Sequence, residues 1–209
     1  MKLPALLTAA LLASCSSQDP STAPSDNGTT KIAAQPSAPP APAPQPQPAT
    51  PPPLTPEGWG PLRIGMSLAE VTAALGPDAD PEAVGGPDPE SCDQFRPARA
   101  PNGMLVMIED GRLTSISLID DATILTDRGL GIGATAAEVR AVYGRVAQTE
   151  PHKYSASPAE YITVWAGGPR KAYAEDPAAR GIRYEVEENG RVSQIHAGGP
   201  SIQYVEGCA

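Results

Sequence analysis

One segment occurs twice in this chain. Residues 62–76 read Leu-Arg-Ile-Gly-Met-Ser-Leu-Ala-Glu-Val-Thr-Ala-Ala-Leu-Gly, and residues 130–144 read Leu-Gly-Ile-Gly-Ala-Thr-Ala-Ala-Glu-Val-Arg-Ala-Val-Tyr-Gly. At a constant offset of 68, Leu62/Leu130, Ile64/Ile132, Gly65/Gly133, Ser67/Thr135, Glu70/Glu138, Val71/Val139 and Gly76/Gly144 stand in register. A second pair lies downstream: 103–116, ending Glu-Asp-Gly-Arg-Leu-Thr-Ser-Ile, matches 181–195, ending Glu-Glu-Asn-Gly-Arg-Val-Ser-Gln-Ile, with one residue inserted before the second turn. A chain patterned in this way builds its core from two like units.

Each unit has a local physical reading. Ser67 and Thr135 are N-cap residues with Glu70 and Glu138 three places on, so each unit predicts a helix opened by a capping box. Leu68, Val71 and Leu75 give the first helix an apolar stripe, as Ala136, Val139 and Tyr143 do the second. Gly76 and Gly144 suit the position that ends a helix. Two turns of helix are unstable alone and need a sheet to pack on. Residues 104–108 and 182–186 read as strands, Asp110-Gly111 and Asn189-Gly190 as hairpin turns, and alternating residues follow each turn. Residues 161–165 add a strand to the second unit. The prediction is an α+β domain over 57–209, built of two tandem helix–antiparallel-strand repeats at about 58–120 and 126–209.

Ahead of that domain the composition changes. Eleven prolines fall within residues 36–56, interleaved with Ala, Gln, Ser and Thr. Such a run cannot supply the donors of a helix or sheet and favours extended polyproline II, a spacer that reaches roughly 65 Å at about 3.1 Å per residue. The expectation for 15–56 is a disordered, proline-rich tether. Residues 1–14 carry one charge, Lys2, and a short apolar core, which reads as an export signal and is too short to span a bilayer. They end in Leu12-Ala13-Ser14-Cys15, which resembles the bacterial lipobox. The resemblance implies removal of 1–14 and a lipid-modified Cys15 as mature N-terminus, holding the domain to the membrane. Ser16 is compatible with sorting to the outer membrane, facing the periplasm.

Ile64-Gly65-Met66-Ser67, followed by Val71 and Leu75-Gly76, resembles the helix start of the SmpA/OmlA (BamE-like) outer-membrane lipoproteins. Two such units joined in one domain are similar to the β-lactamase-inhibitor-protein (BLIP-like) architecture. The shared residues are caps, turns and core, so the resemblance implies a fold and transfers no binding residue. The barrel-assembly relatives lack a duplicated unit. The inhibitor relatives carry disulfides inside each repeat, which the cysteine positions here do not allow.

With Cys15 assigned to lipid, Cys92 and Cys208 remain, and an exported domain favours their pairing. Neither has a Cys-x-x-Cys partner or an adjacent His, so a reactive thiol is disfavoured. His152 and His196 are the only histidines and show no metal-ligand spacing. The acidic loop 78–93 starts like a calcium site but has Ala83 where an EF-hand needs Gly and Pro89 where it needs Glu, so no metal or cofactor is expected. No Gly-x-Ser-x-Gly or Ser-x-x-Lys motif supports hydrolysis. Beyond residue 56, 22 acidic residues face 13 basic ones, which argues against a nucleic-acid partner. On the strand 161–165, Tyr161, Thr163 and Trp165 share one face and are the candidate contact surface, with Ile162 and Val164 turned to the core. The expectation is a lipid-anchored, non-enzymatic envelope protein that binds an envelope protein or polymer. An inhibitor of a secreted or periplasmic hydrolase is the alternative.

Overall fold

Ser67 and Thr135 each end an extended stretch and turn the chain into a helix. A computed structural model describes residues 51–209 apart from 84, 170–172 and 209; residues 1–14, read above as an export signal, Cys15 and the stretch up to residue 50 read as a tether lie outside the described residues. In both helices the cap hydroxyl accepts the N–H of the third helical residue (Glu70 N–H to Ser67 Oγ 3.3 Å, Glu138 N–H to Thr135 Oγ1 3.2 Å). The glutamate returns the bond to the cap N–H, at 2.8 Å for Glu70 and 2.7 Å for Glu138. Those bonds, first from the cap backbone and then from the cap hydroxyl, hold both carboxyls below the usual carboxylate range. A cap of this kind contributes about 1 kcal/mol.

In chain order the elements are β1 (Gly58–Trp59), β2 (Leu62–Arg63), α1 (Leu68–Leu75), β3 (Cys92–Phe95), β4 (Met104–Glu109), β5 (Arg112–Leu118), α2 (Ala136–Tyr143), β6 (Gln148–Pro151), β7 (Glu160–Trp165), β8 (Gly181–Val186) and β9 (Val192–Gly198). A short 3₁₀ turn, Pro200–Gln203, follows β9. β1 and β2 form a small ribbon, and the other seven strands form one antiparallel sheet in the order β3-β4-β5-β9-β8-β7-β6. With two short helices on it, the sheet makes the domain α+β.

Both helix starts dock on a hairpin through the same bonds. Leu68 N–H donates to the Gly111 carbonyl and Ala136 N–H to Gly190, each at 3.1 Å. Leu113 N–H reaches the Met66 carbonyl and Val192 N–H that of Ala134, each at 2.8 Å. Gly65 N–H donates back to Leu113 (2.7 Å) and Gly133 N–H to Val192 (2.8 Å). Arg112 Nη1 donates to the Gly65 carbonyl at 3.1 Å, Arg191 Nη1 to Gly133 at 2.7 Å. The turns differ as the extra residue requires. Asp110 and Gly111 both have positive φ, 48° and 73°, the two-residue turn that suits strand twist. In the second hairpin only Gly190 is left-handed, at 72°, and Glu187 and Arg191 close a longer loop; behind the turn both hairpins carry a register shift, at Met107/Ile108 and at Glu185/Val186.

Strand alternation sorts the sheet into two faces. Val106, Ile116, Leu118, Ile195, Ala197, Ile182, Tyr184 and Ile162 face the helices, where Val71 and Val139 are fully buried among them. Two expectations need correction here. Leu54 lies inside the stretch read as tether, yet it is 0 % exposed and bonded through its N–H to the Leu125 carbonyl, while Trp59 Nε1 donates to the Pro52 carbonyl. The folded part therefore starts before residue 57; proline-rich composition hid one buried leucine. Leu68, placed on the apolar stripe, is 44 % exposed, because its N–H sits over the Gly111 turn at the sheet's rim.

Candidate functional site

Among the described residues the opposite face of the sheet carries no α-helix, and residues 200–208 lie across it. β7 runs outward from the middle of the second half, and its alternation is as the sequence implies, but the outcome for its side chains is not. Tyr161, Thr163 and Trp165 share this face and are buried, with Trp165 at 3 % exposure, while Val164 on the other side is half-buried. The candidate contact surface Tyr161/Thr163/Trp165 is thus corrected: it is a floor. The reason lies downstream. Pro200–Gln203 folds back over the sheet, and Ile202 joins Trp165, Ala174 and Ala179 in a second apolar cluster. Gln203 holds the Ala174 backbone from both sides, its Oε1 accepting the N–H and its Nε2 donating to the carbonyl, each at 2.9 Å.

From there the chain crosses the sheet toward its far edge. Lys153 Nζ meets Glu206 Oε1 at 3.1 Å. Gly207 lies against Gln94 and Met107, and Cys208 is disulfide-bonded to Cys92 on the edge strand β3. The pairing expected from the cysteine count is present, its two ends 116 positions apart in the sequence. It fastens a C-terminal strap whose two ends sit on the two halves of the sheet.

Beneath and beside the strap is a polar network that sequence spacing does not reveal, because its members come from four strands and a loop. Glu185 on β8 collects both histidines of the chain: His152 Nε2 lies 3.0 Å from its Oε1 and His196 Nε2 3.8 Å from its Oε2. His196 Nδ1 is 2.8 Å from Ser117 Oγ on β5. His152 Nδ1 accepts the backbone N–H groups of Tyr154 (3.1 Å) and Ser155 (3.0 Å). Its ring stacks on that of Tyr161 with centroids 4.6 Å apart, and Arg183 Cζ lies 3.7 Å from the centroid of the same Tyr161 ring. Arg183 is 4 % exposed; its Nη1 donates to the Ile202 carbonyl at 3.3 Å, and its Nε has no acceptor among the described residues. Burial pushes this guanidinium's pKa down, opposed by Tyr161, Glu150 and Glu185. Burial alone would raise the Glu185 carboxyl, but the two histidines outweigh it and hold the carboxyl below its ordinary value.

Two chemistries are within the reach of these residue types. A serine–histidine–carboxylate series exists in Ser117, His196 and Glu185, but Ser117 is 2 % exposed, so no acyl group approaches its hydroxyl in this state. His152, Glu185 and Glu187 bring ligand atoms within 4.8 Å of one another, the spacing of a cation site. The two amides on His152 Nδ1 decide against it. They require a lone pair there, so the proton resides on Nε2, the atom a metal would take, whereas metal-bound histidines donate from their other nitrogen. The cluster fits a half-buried carboxylate held between two imidazoles.

A pH dependence follows with a definite sign. Glu185 has a folded-state pKa below its unfolded value, so its pairing stabilises the protein above the unfolded value near 4.5 and that stabilisation disappears as pH falls through the folded one. Glu185→Gln is expected to flatten the acid limb of a stability-versus-pH curve measured by urea denaturation. An unchanged acid limb would show that the carboxylate is not coupled to folding.

Comparison with protein-family models, with curated proteins and with solved structures finds no match for this chain.

Proposed function

We propose that this chain is a lipid-anchored protein of the bacterial cell envelope, whose domain binds another envelope component without catalysing a reaction. The observation that carries the reading is the quartet Leu12-Ala13-Ser14-Cys15, set between an apolar leader and a run of eleven prolines in residues 36–56. Acyl chains on Cys15 contribute about 0.8 kcal/mol per buried methylene, enough in combination to hold a domain at a bilayer. The tether then displays the domain in the periplasm, from the outer membrane, with which Ser16 is compatible. Binding rather than chemistry is favoured because Ser117, the hydroxyl of the serine–histidine–carboxylate series on this face, is 2 % exposed.

The domain itself is read as a duplicated unit in the BLIP-like arrangement. Its support is the set of four tertiary hydrogen bonds that recurs at each helix start, and the register of the central strand pair. β5 and β9 pair as Ile116↔Ala197, Ser117↔His196 and Leu118↔Ile195. Ile116 and Ile195 are equivalent in the repeat, as are Leu118 and Ala197, so exchanging the halves reproduces the pairing about Ser117 and His196. A duplication by two-fold rotation leaves this mark.

The test is fractionation in a two-membrane bacterium. The wild-type protein is expected in the outer-membrane fraction with an acylated N-terminal cysteine seen by mass spectrometry, and Cys15→Ser is expected unacylated. An unacylated wild-type chain would overturn the reading.

A further inference from the structure

Two grooves of the domain correspond under the duplication. The first, of about 380 Å³, is lined on one side by Ile64, Gly65, Arg112 and Thr114 and on the other by Gly199–Ser201 and Arg180. The second, of about 560 Å³, is lined by the equivalents Ile132, Gly133, Arg191 and Ser193, and across from them by Leu105, Ile119 and Asp120. At the first groove the chain itself covers the end of β5 and forms the far wall. β9 continues past its partner, Gly199 N–H donates to the Thr114 carbonyl at 2.9 Å, and the strap begins there.

The difference traces to one residue. Gly198 passes so close to β5 that a Cβ on it would lie 2.3 Å from the Thr114 carbonyl oxygen and 3.2 Å from Ile64 Cδ1, and its φ is 152°. Its counterpart is Ile119, which cannot follow that path. Ile119 stays beside Gly103, its N–H bonded to that carbonyl at 2.8 Å, as Gly198 stays paired with Gly181, but Asp120 turns at φ 53° and β5 leaves β9 one residue early, with no counterpart of the pair Ser115↔Gly198. The stretch of β9 at Ser193, equivalent to the stretch of β5 that receives Gly199, is therefore not covered by β5.

We propose that this second groove docks an extended, basic segment of a partner protein, laid along Ser193 as the extended end of β9, Gly198–Gly199, is laid along Ser115 and Thr114. The inference rests on the binding reading above and on the duplication. Main-chain addition to an uncovered strand supplies the affinity in such docking, and side-chain pockets the choice of partner. Here Leu105, Ile119 and Ile132, all half-buried, offer the apolar floor. The charge of the occupant follows from the rim. Asp120 and Glu187 line it, Asp121 and Glu188 follow them in sequence, and the one guanidinium, Arg191, donates into the Gly133 carbonyl.

The probe is a synthetic peptide, acetyl-Lys-Gly-Gly-Pro-Ser-Ile-Lys-amide, which copies Gly198–Ile202 between two lysines, titrated into the ¹⁵N-labelled domain 51–209 with its disulfide formed, once a cooperative unfolding transition shows that this piece folds. Binding is expected to shift the amides of Ser193, Gln194, Ile119 and Ile132. Asp120→Asn with Glu187→Gln, which keeps the turn-tolerant side chain and the hydrogen-bonding amide, is expected to weaken it about tenfold. Leu105→Trp, which fills the groove, is expected to abolish it with the thermal midpoint retained. No shifts at millimolar peptide, or shifts confined to Gly199–Tyr204, would overturn the proposal. Capture from solubilised envelopes separates the two levels. Full-length wild type and Leu105→Trp capturing the same partner equally would sink the groove and leave the binding reading standing; capture by neither would sink both.

Discussion

Replacing Cys92 and Cys208 together by serine is expected to lower the unfolding free energy by about 4 kcal/mol. The bond joins residues 116 apart, and a cross-link removes more entropy from the unfolded chain the longer the loop it closes. For a loop of about 100 residues the chain-entropy model gives about 4.7 kcal/mol, and native adjustments usually trim it. In a domain of this size that is a fall of roughly 10 °C or more in thermal midpoint. The folded state is affected too, since Cys208 is the distal anchor of the strap. Lys153–Glu206 and the Gln203–Ala174 bonds hold the rest, and the first of these is an exposed ion pair that contributes little. Chymotryptic cleavage after Tyr204 is therefore expected to accelerate in the double-serine protein under conditions where it is still folded. Urea denaturation of the two proteins side by side checks the first expectation. A difference below 1 kcal/mol would mean that the unfolded chain is compact without the bond.

Much of the fold is legible because it rests on local rules. The pairs Ser67/Glu70 and Thr135/Glu138 are capping boxes wherever they open an apolar run, and Asp110-Gly111 turns back on itself for reasons contained in two residues. The repeat extends such inferences, since whatever one half does locally the other half confirms. What stays illegible is everything that depends on where distant segments go. β3 sits in a stretch whose acidic composition reads as loop; it is a strand because Asp93 and Phe95 pair with β4, and its alternation of half-buried residues is no pattern. β6 contains Pro151, tolerated at the sheet's edge, where no strand needs its missing N–H. Tyr161 and Trp165 were assigned a correct face and a wrong environment, because nothing in residues 161–165 announces that Ile202 returns over them. The Glu185 network is hidden for the same reason: His152, His196 and Ser117 carry no spacing rule, and only the crossing of β5, β8 and β9 brings them to one carboxylate.

That reassignment of Trp165 has a measurable consequence. Trp165→Ala is expected to cost about 3–5 kcal/mol of stability, the range for emptying a buried aromatic site. The site cannot collapse easily. Gly181 faces Trp165 across β7 and β8, at a distance where a Cβ would stand 2.7 Å from the indole's Cε3, so the ring lies directly on the neighbouring backbone and no side chain there can move in. On its other side Ala174 and Ala179 are too short to refill the space, which leaves Ile202. Ile202→Ala is expected to cost about 2–4 kcal/mol by itself. Because the two side chains meet in one cluster, the double variant should lose less than the sum, with a coupling of about 1–2 kcal/mol. Circular dichroism is the readout, since Trp165 is one of two tryptophans and its loss alters the fluorescence directly. Additive costs would separate Ile202 from Trp165 and deny the strap its anchor. A cost for Trp165→Ala below 1 kcal/mol would return the side chain to the surface. The prediction also governs how binding data on this variant are read. At a temperature where wild type and variant are equally folded, partner capture should be the same for both, because the indole contributes to the floor under the strap and not to the surface a partner meets.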